Sequence, residues 1–154
     1  MLTQQRLATI GLLALVSTLG ADRPKPEMTE ETLTGQVVLL TTALSELGLR
    51  ADPEAIDRQV VLRTPEGVLV PLIRDDASRA FFLDPQLLSR DAELHVRRYA
   101  GVPYVQVTNF RIVVDGKLRI PEYYCEVCAI SVRYPQSCPC CQGTMEFRFR
   151  PDDR

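Results

Sequence analysis

From Gly35 onward the apolar residues fall in short runs separated by turn chemistry. Gln36-Val37-Val38-Leu39-Leu40-Thr41 is apolar and β-branched, which predicts a buried strand. Thr42 to Leu49 sets Ala43, Leu44 and Leu47 at helical spacing and meets Gly48, a helix stop. Asp52-Pro53-Glu54 and Asp84-Pro85-Gln86 each put a capping acid before a proline at the first helical position. Asp75-Asp76 predicts a cap for a brief helix through Phe81-Phe82. Gln59 to Thr64 and Val68 to Ile73 flank Pro65-Glu66-Gly67, a hairpin signal. Pro71 marks the second of these runs as an edge strand or a bulge. Glu93 to Tyr99 alternates, with Leu94 and Val96 on one face and His95, Arg97 and Tyr99 on the other. Tyr104 to Val114 is a long β run that Asp115-Gly116 turns back into Lys117 to Ile120.

The first residues follow a different rule. Met1 to Ala21 carries one base, Arg6, and no acid, with an apolar centre from Leu7 to Leu19 and small residues Gly20 and Ala21 before a polar break. This predicts a secretory signal peptide over 1–21 and an exported, periplasmic or secreted protein. The apolar run is short of the ~20 residues of a spanning helix, so membrane contact is expected only if the segment stays uncleaved as an anchor. Residues 22–34 show no apolar period and predict a flexible lead; residues 151–154 predict a tail.

Over residues 35–120, the succession of one strand, a two-stranded hairpin, a helical connection and closing strands resembles an OB-type fold. The expected class is therefore mainly β: a small OB-like β-barrel with short helical insertions, followed by a distinct module at 121–150.

Charge narrows the function. The formal net charge is −2, or −3 without Arg6. Asp22 to Asp91 holds 13 acids and 8 bases, while Ala92 to Arg150 holds 5 acids and 8 bases. Neither half carries a strong polyanion-binding field. Sixteen of the 18 bases are arginine, which suits planar ion pairs.

The cysteines carry the most definite chemistry. Cys125-Glu126-Val127-Cys128 is followed, after nine residues, by Cys138-Pro139-Cys140-Cys141-Gln142-Gly143. Two C-x-x-C turns can offer four thiolates to a tetrahedral Zn²⁺. An exported protein sees oxidising conditions, so two disulfides with one cysteine left over is the competing reading. The confinement of all five cysteines to seventeen residues favours the metal. The second turn resembles the zinc-ribbon and rubredoxin-type knuckle families, whose turns read C-P-x-C with a glycine close behind. The first turn has Ala129 where a glycine is usual. Ile130 to Tyr134 and Met145 to Phe149 read as the ribbon's strands. The resemblance implies Cys125, Cys128, Cys138 and Cys141 as ligands of one structural zinc ion per chain, with Cys140 as a spare. A closed four-thiolate site leaves no open position for substrate.

Cys138-Pro139-Cys140-Cys141 also has the form of glutaredoxin-like redox centres, but the helix that activates such thiols is not expected after Cys141. His95 is the single histidine and falls on the polar face of its strand. Together with the absence of any glycine-rich phosphate loop, this leaves no acid–base or nucleophile constellation, and enzymatic activity is not expected. The expected function is an exported, non-catalytic binding or assembly protein whose partner is another protein. Thiol–disulfide redox or metal handling by the C-terminal cysteines is the alternative. Nucleic-acid binding is a further one, with Tyr99, Tyr104 and Phe110 as stacking faces and Arg97, Arg98 and Arg111 as phosphate contacts.

Overall fold

A computed structural model describes residues 26–150. The signal segment, its cleavage site and the tail at 151–154 lie outside the described residues. The described chain is mainly β, with nine strands in two antiparallel sheets. The strands are β1 (Met28–Leu39), β2 (Val60–Arg63), β3 (Leu69–Pro71), β4 (Asp91–Tyr99), β5 (Val105–Val114), β6 (Lys117–Arg119), β7 (Pro121–Cys125), β8 (Ile130–Val132) and β9 (Glu146–Phe149). Three short helices, α1 (Leu40–Glu46), α2 (Pro53–Ile56) and α3 (Arg79–Leu83), lie between strands of the first sheet. Its order is β3-β2-β1-β4-β5-β6, and that of the second is β8-β7-β9.

The expected flexible lead is corrected from Met28 onward: these residues are strand, paired with β4 from Met28↔Tyr99 to Gln36↔Asp91. Thr29 to Thr32 lack an apolar period because what holds them is a charged row on the partner strand. Glu30 accepts from Arg97 Nε at 2.9 Å, and Glu31 meets Arg98 Nη2 at 2.7 Å. Such exposed cross-strand pairs are each worth only a few tenths of a kcal/mol, roughly, so the backbone ladder itself supplies the rest.

The closed barrel is also corrected. The six-stranded sheet is open, and β3 and β6 are its edges. A single parallel bridge joins Leu72 to Val105, and the Ile73 N–H donates to the Val105 carbonyl at 2.9 Å. The contact stops there for a local reason. Pro71 has no N–H to extend a ladder. Just beyond, the Ser78 hydroxyl donates to the Ile73 carbonyl at 2.6 Å and so bends the chain away from the sheet.

One buried cluster gathers Val37, Leu62, Leu72, Phe81, Leu87, Leu94, Val107 and Ile112 from the strands and their connections. Phe81 of α3 lies 4.4 Å from Phe110 of β5, centroid to centroid. The cluster continues across the expected boundary at residue 120. Tyr123 of β7 belongs to it, with Val132, Tyr134, Phe147 and Phe149 packed alongside. The Tyr123 hydroxyl donates to the buried Asp84, whose other oxygen accepts from the Gln86 N–H at 2.9 Å. Burial, with the Asp84 carboxylate beside it, raises the Tyr123 pKa and keeps the phenol in its donating form. Tyr123 thus joins the two sheets.

Beside it sits Glu122, 3% exposed. Its two oxygens hold Arg148 Nε at 2.9 Å and Arg150 Nε at 3.1 Å. Burial pushes its pKa up, but Arg148, Arg150 and Ser131 together pull it below the ordinary carboxylate range. A carboxyl more acidic folded than unfolded (about 4.3) stabilises above the unfolded value, and that stability is lost as pH falls through the folded one. Glu122→Gln is therefore expected to cost about 2 kcal/mol at pH 7 and to flatten the acid-side decline below about pH 4.3. Thermal melts over a pH series check this; identical acid-side slopes in both proteins would refute it.

Candidate metal centre

β7 delivers Cys125 to the end of the second sheet, where the chain leaves the ladder in a tight turn. Ala129 N–H donates back to the Cys125 carbonyl at 2.8 Å, and Ala129 takes a left-handed φ of 54°. The second turn repeats this pattern residue for residue. Gln142 N–H donates to the Cys138 carbonyl at 2.9 Å, and Gln142 has φ 59°. The residue following the second cysteine is left-handed in both turns, and in neither is it glycine.

The expected difference between the turns therefore disappears, and the role of glycine changes. Gly143 does not supply the left-handed residue. A Cβ there would stand 3.3 Å from the Cys141 sulfur, so its bare backbone makes room for the thiol. A left-handed alanine costs about 1–2 kcal/mol, and the entropy of an added glycine takes back up to about 1. Ala129→Gly is expected to raise stability by about 0.5–1 kcal/mol in denaturant titration, with metal content unchanged. A loss of stability in this variant would contradict the left-handed turn.

The two turns bring the sulfurs of Cys125, Cys128, Cys138 and Cys141 within 4.8 Å of one another. Cys125 and Cys141 are 3.6 Å apart, sulfur to sulfur. A tetrahedral ion with metal–sulfur bonds of about 2.3 Å sets its ligands about 3.8 Å apart, so these four could hold a metal ion. All five cysteines are unbridged, and Cys140, the spare, is exposed. Cys125 and Cys138 are buried and Cys141 is exposed, so the site lies at the surface with its inner half set into the sheet.

The thiols are electrically unequal. The N–H of Cys141, helped by that of Cys140, lowers Cys138 to about 7 against the cost of burial. The N–H of Cys128 pulls Cys125 down, but burial and the thiols of Cys141 and Cys138 outweigh it and leave Cys125 above its ordinary value. Cys128 is raised by its hydrogen bonds to Cys140 and Cys141 and by burial. Four crowded sulfurs cannot all ionise unaided, and a divalent cation is what would let them.

Other sequence candidates are placed differently. His95 is on the polar face as expected, its Nδ1 3.2 Å from Thr32 Oγ1 and its Nε2 3.4 Å from Glu93. The nucleic-acid set loses its geometry. Phe110 is buried against Phe81, Tyr99 donates to Gln106 at 2.8 Å, and Arg97, Arg98 and Arg111 are engaged by Glu30, Glu31 and Glu93. Tyr104 alone keeps an exposed ring. Sequence reasoning missed Glu122 and its two arginines, since a single acid beside a tyrosine pair gives no signal of burial. No helix among the described residues is long and apolar enough to cross a membrane. In comparisons with known proteins, the chain matches no family model, no curated protein and no solved structure.

Proposed function

We propose that the chain is an exported, non-catalytic binding or assembly protein whose second sheet is a zinc ribbon built on a structural four-thiolate zinc site. The observation that carries this reading is the convergence of four sulfurs within 4.8 Å through two turns of the same hydrogen-bonded form. Four protein thiolates fill a tetrahedral ion, so the metal would hold the turns together rather than meet a substrate, and soft sulfur donors favour zinc over harder cations. The first sheet is read as an OB-like arrangement whose barrel is left open. Support comes from the order β1-β2-β3-α3-β4-β5 and the parallel Leu72–Val105 bridge, which brings β3 to β5. Export rests on the pattern of Met1 to Ala21 alone.

A second reading, thiol redox chemistry, is favoured by the lowered Cys138 and the exposed Cys140 beside it. It lacks the helix start such centres use, since among the described residues only β9 follows Gln142.

The test is metal content and free-thiol count on the chain from Asp22, purified with and without reductant. About one zinc per chain, retained in Cys140→Ser, is expected. No metal, with two bridges and one free thiol, would overturn the zinc site. A thiol-linked activity lost in Cys140→Ser would favour the second reading.

A further inference from the structure

We propose that the cleft between the two sheets is a binding site for a small oxyanion, a carboxylate or phosphate group on a small molecule. The cavity measures about 240 Å³ and has walls from β5 on one side and β7 and β8 on the other. Asn109, Glu122, Ser131, Arg133 and Arg150 supply its polar lining.

Three observations converge on an anion. The first is charge. Arg133 and Arg150 bring two positive charges to the lining and Glu122 one negative, and Glu122 is also held by Arg148. The lining therefore carries a positive surplus in a recess between two sheets.

The second is hydrogen-bonding capacity. Among the described residues Arg133 is paired with no carboxylate; its Nη1 donates to the Thr108 carbonyl at 3.3 Å. That leaves most of a five-donor fork for a ligand. The Asn109 side-chain oxygen is taken by the Phe110 N–H at 3.0 Å, so the amide N–H₂ is the end with donors to spare. The third is backbone. The β4–β5 register slips between His95 and Val96, leaving Thr108 as the extra residue on β5. This bulge lies directly before Asn109 in the cleft wall, an arrangement that re-aims side chains next to binding sites.

A guanidinium and an amide, both donors, facing a recess of this volume would take an oxyanion in a bidentate or forked arrangement. The site is independent of the zinc reading, because none of its polar groups is a cysteine.

Titration calorimetry with inorganic phosphate, and separately with succinate, tests it on the metal-replete chain. At least one anion is expected to bind one to one, more weakly as salt rises, with affinity falling tenfold or more in Arg133→Gln and in Asn109→Ala. Arg97→Gln, which alters an exposed pair on β4, should bind as the parent does. Phosphate binding alone would name a phosphate-bearing ligand, and succinate binding a carboxylate; either supports the site. If neither binds more tightly than about 1 mM, or if Arg133→Gln binds as tightly as the parent, the proposal is overturned.

Discussion

Cys125→Ser is expected to release the metal and to unfold the second sheet while the six-stranded sheet persists. Structural zinc contributes about 10–16 kcal/mol in small ribbons, and a ribbon with one ligand missing keeps little of it. The ladders themselves are short, β7 pairing with β8 over three residues and with β9 over four, so without the ion only the core contacts of Tyr123, Phe147 and Phe149 and the Glu122 ion pairs oppose opening of the turns. Amide exchange across Pro121–Phe149 should rise by about a hundredfold or more, while the β1–β4 ladder stays protected. Cys125 is also buried, so a packing loss must be separated from a ligand loss. Cys141→Ser does this, because Cys141 is exposed and adds nothing to the core. Equal metal loss in the two variants identifies ligation as the cause. A Cys141→Ser protein that keeps its metal and its exchange protection would remove this site from the account of stability.

Gly35→Ala should be the most damaging single substitution in the first sheet. A Cβ at Gly35 would lie 2.2 Å from the Arg63 carbonyl oxygen and 3.0 Å from the Thr64 Cα, both backbone atoms that no rotamer change can move. Gly35 also has φ +152°, which other residues rarely adopt. The substitution must push β1 away from β2 where their pairing begins, at a cost of about 3 kcal/mol or more, or a drop of about 10 °C in Tm. Gly67→Ala is the control. Gly67 is left-handed too, with φ +82°, but has open space where its Cβ would go, so it should lose only about 1 kcal/mol. Equal melting of the two variants would deny the close approach.

Much of this was readable in the residues themselves. β2, β3 and β5 are apolar runs bounded by turn chemistry, and each formed close to its expected place. Gly48 ends the first helix with φ +72°, and the Leu49 N–H closes onto the Leu44 carbonyl at 2.9 Å, as a glycine stop should. The cysteine spacing pointed to the four sulfurs that meet. What stayed hidden depends on distant partners. Thr29 to Thr32 read as linker because their reason to be strand lies in Arg97, Arg98 and His95, which bond to them from 63 to 67 residues away. β7 was missed because Pro121-Glu122-Tyr123-Tyr124 buries residues on both faces, one against arginines and one in the core, so no alternation appears. Barrel closure turned on how far β3 runs past Pro71, which a strand count does not contain.

The spacing of paired segments along the chain has a kinetic consequence. β1 meets β4 only after a loop of about fifty-five to seventy residues closes, as the partners Gln36↔Asp91 and Met28↔Tyr99 require. All pairing in the second sheet, by contrast, lies within Pro121–Phe149. Closing a short loop is fast and closing a long one is slow. On the zinc reading proposed above, capture of the ion would therefore precede formation of the larger sheet. The rate of metal uptake by the unfolded chain would then be set by the cysteine turns alone, indifferent to changes such as Gly35→Ala that delay everything else.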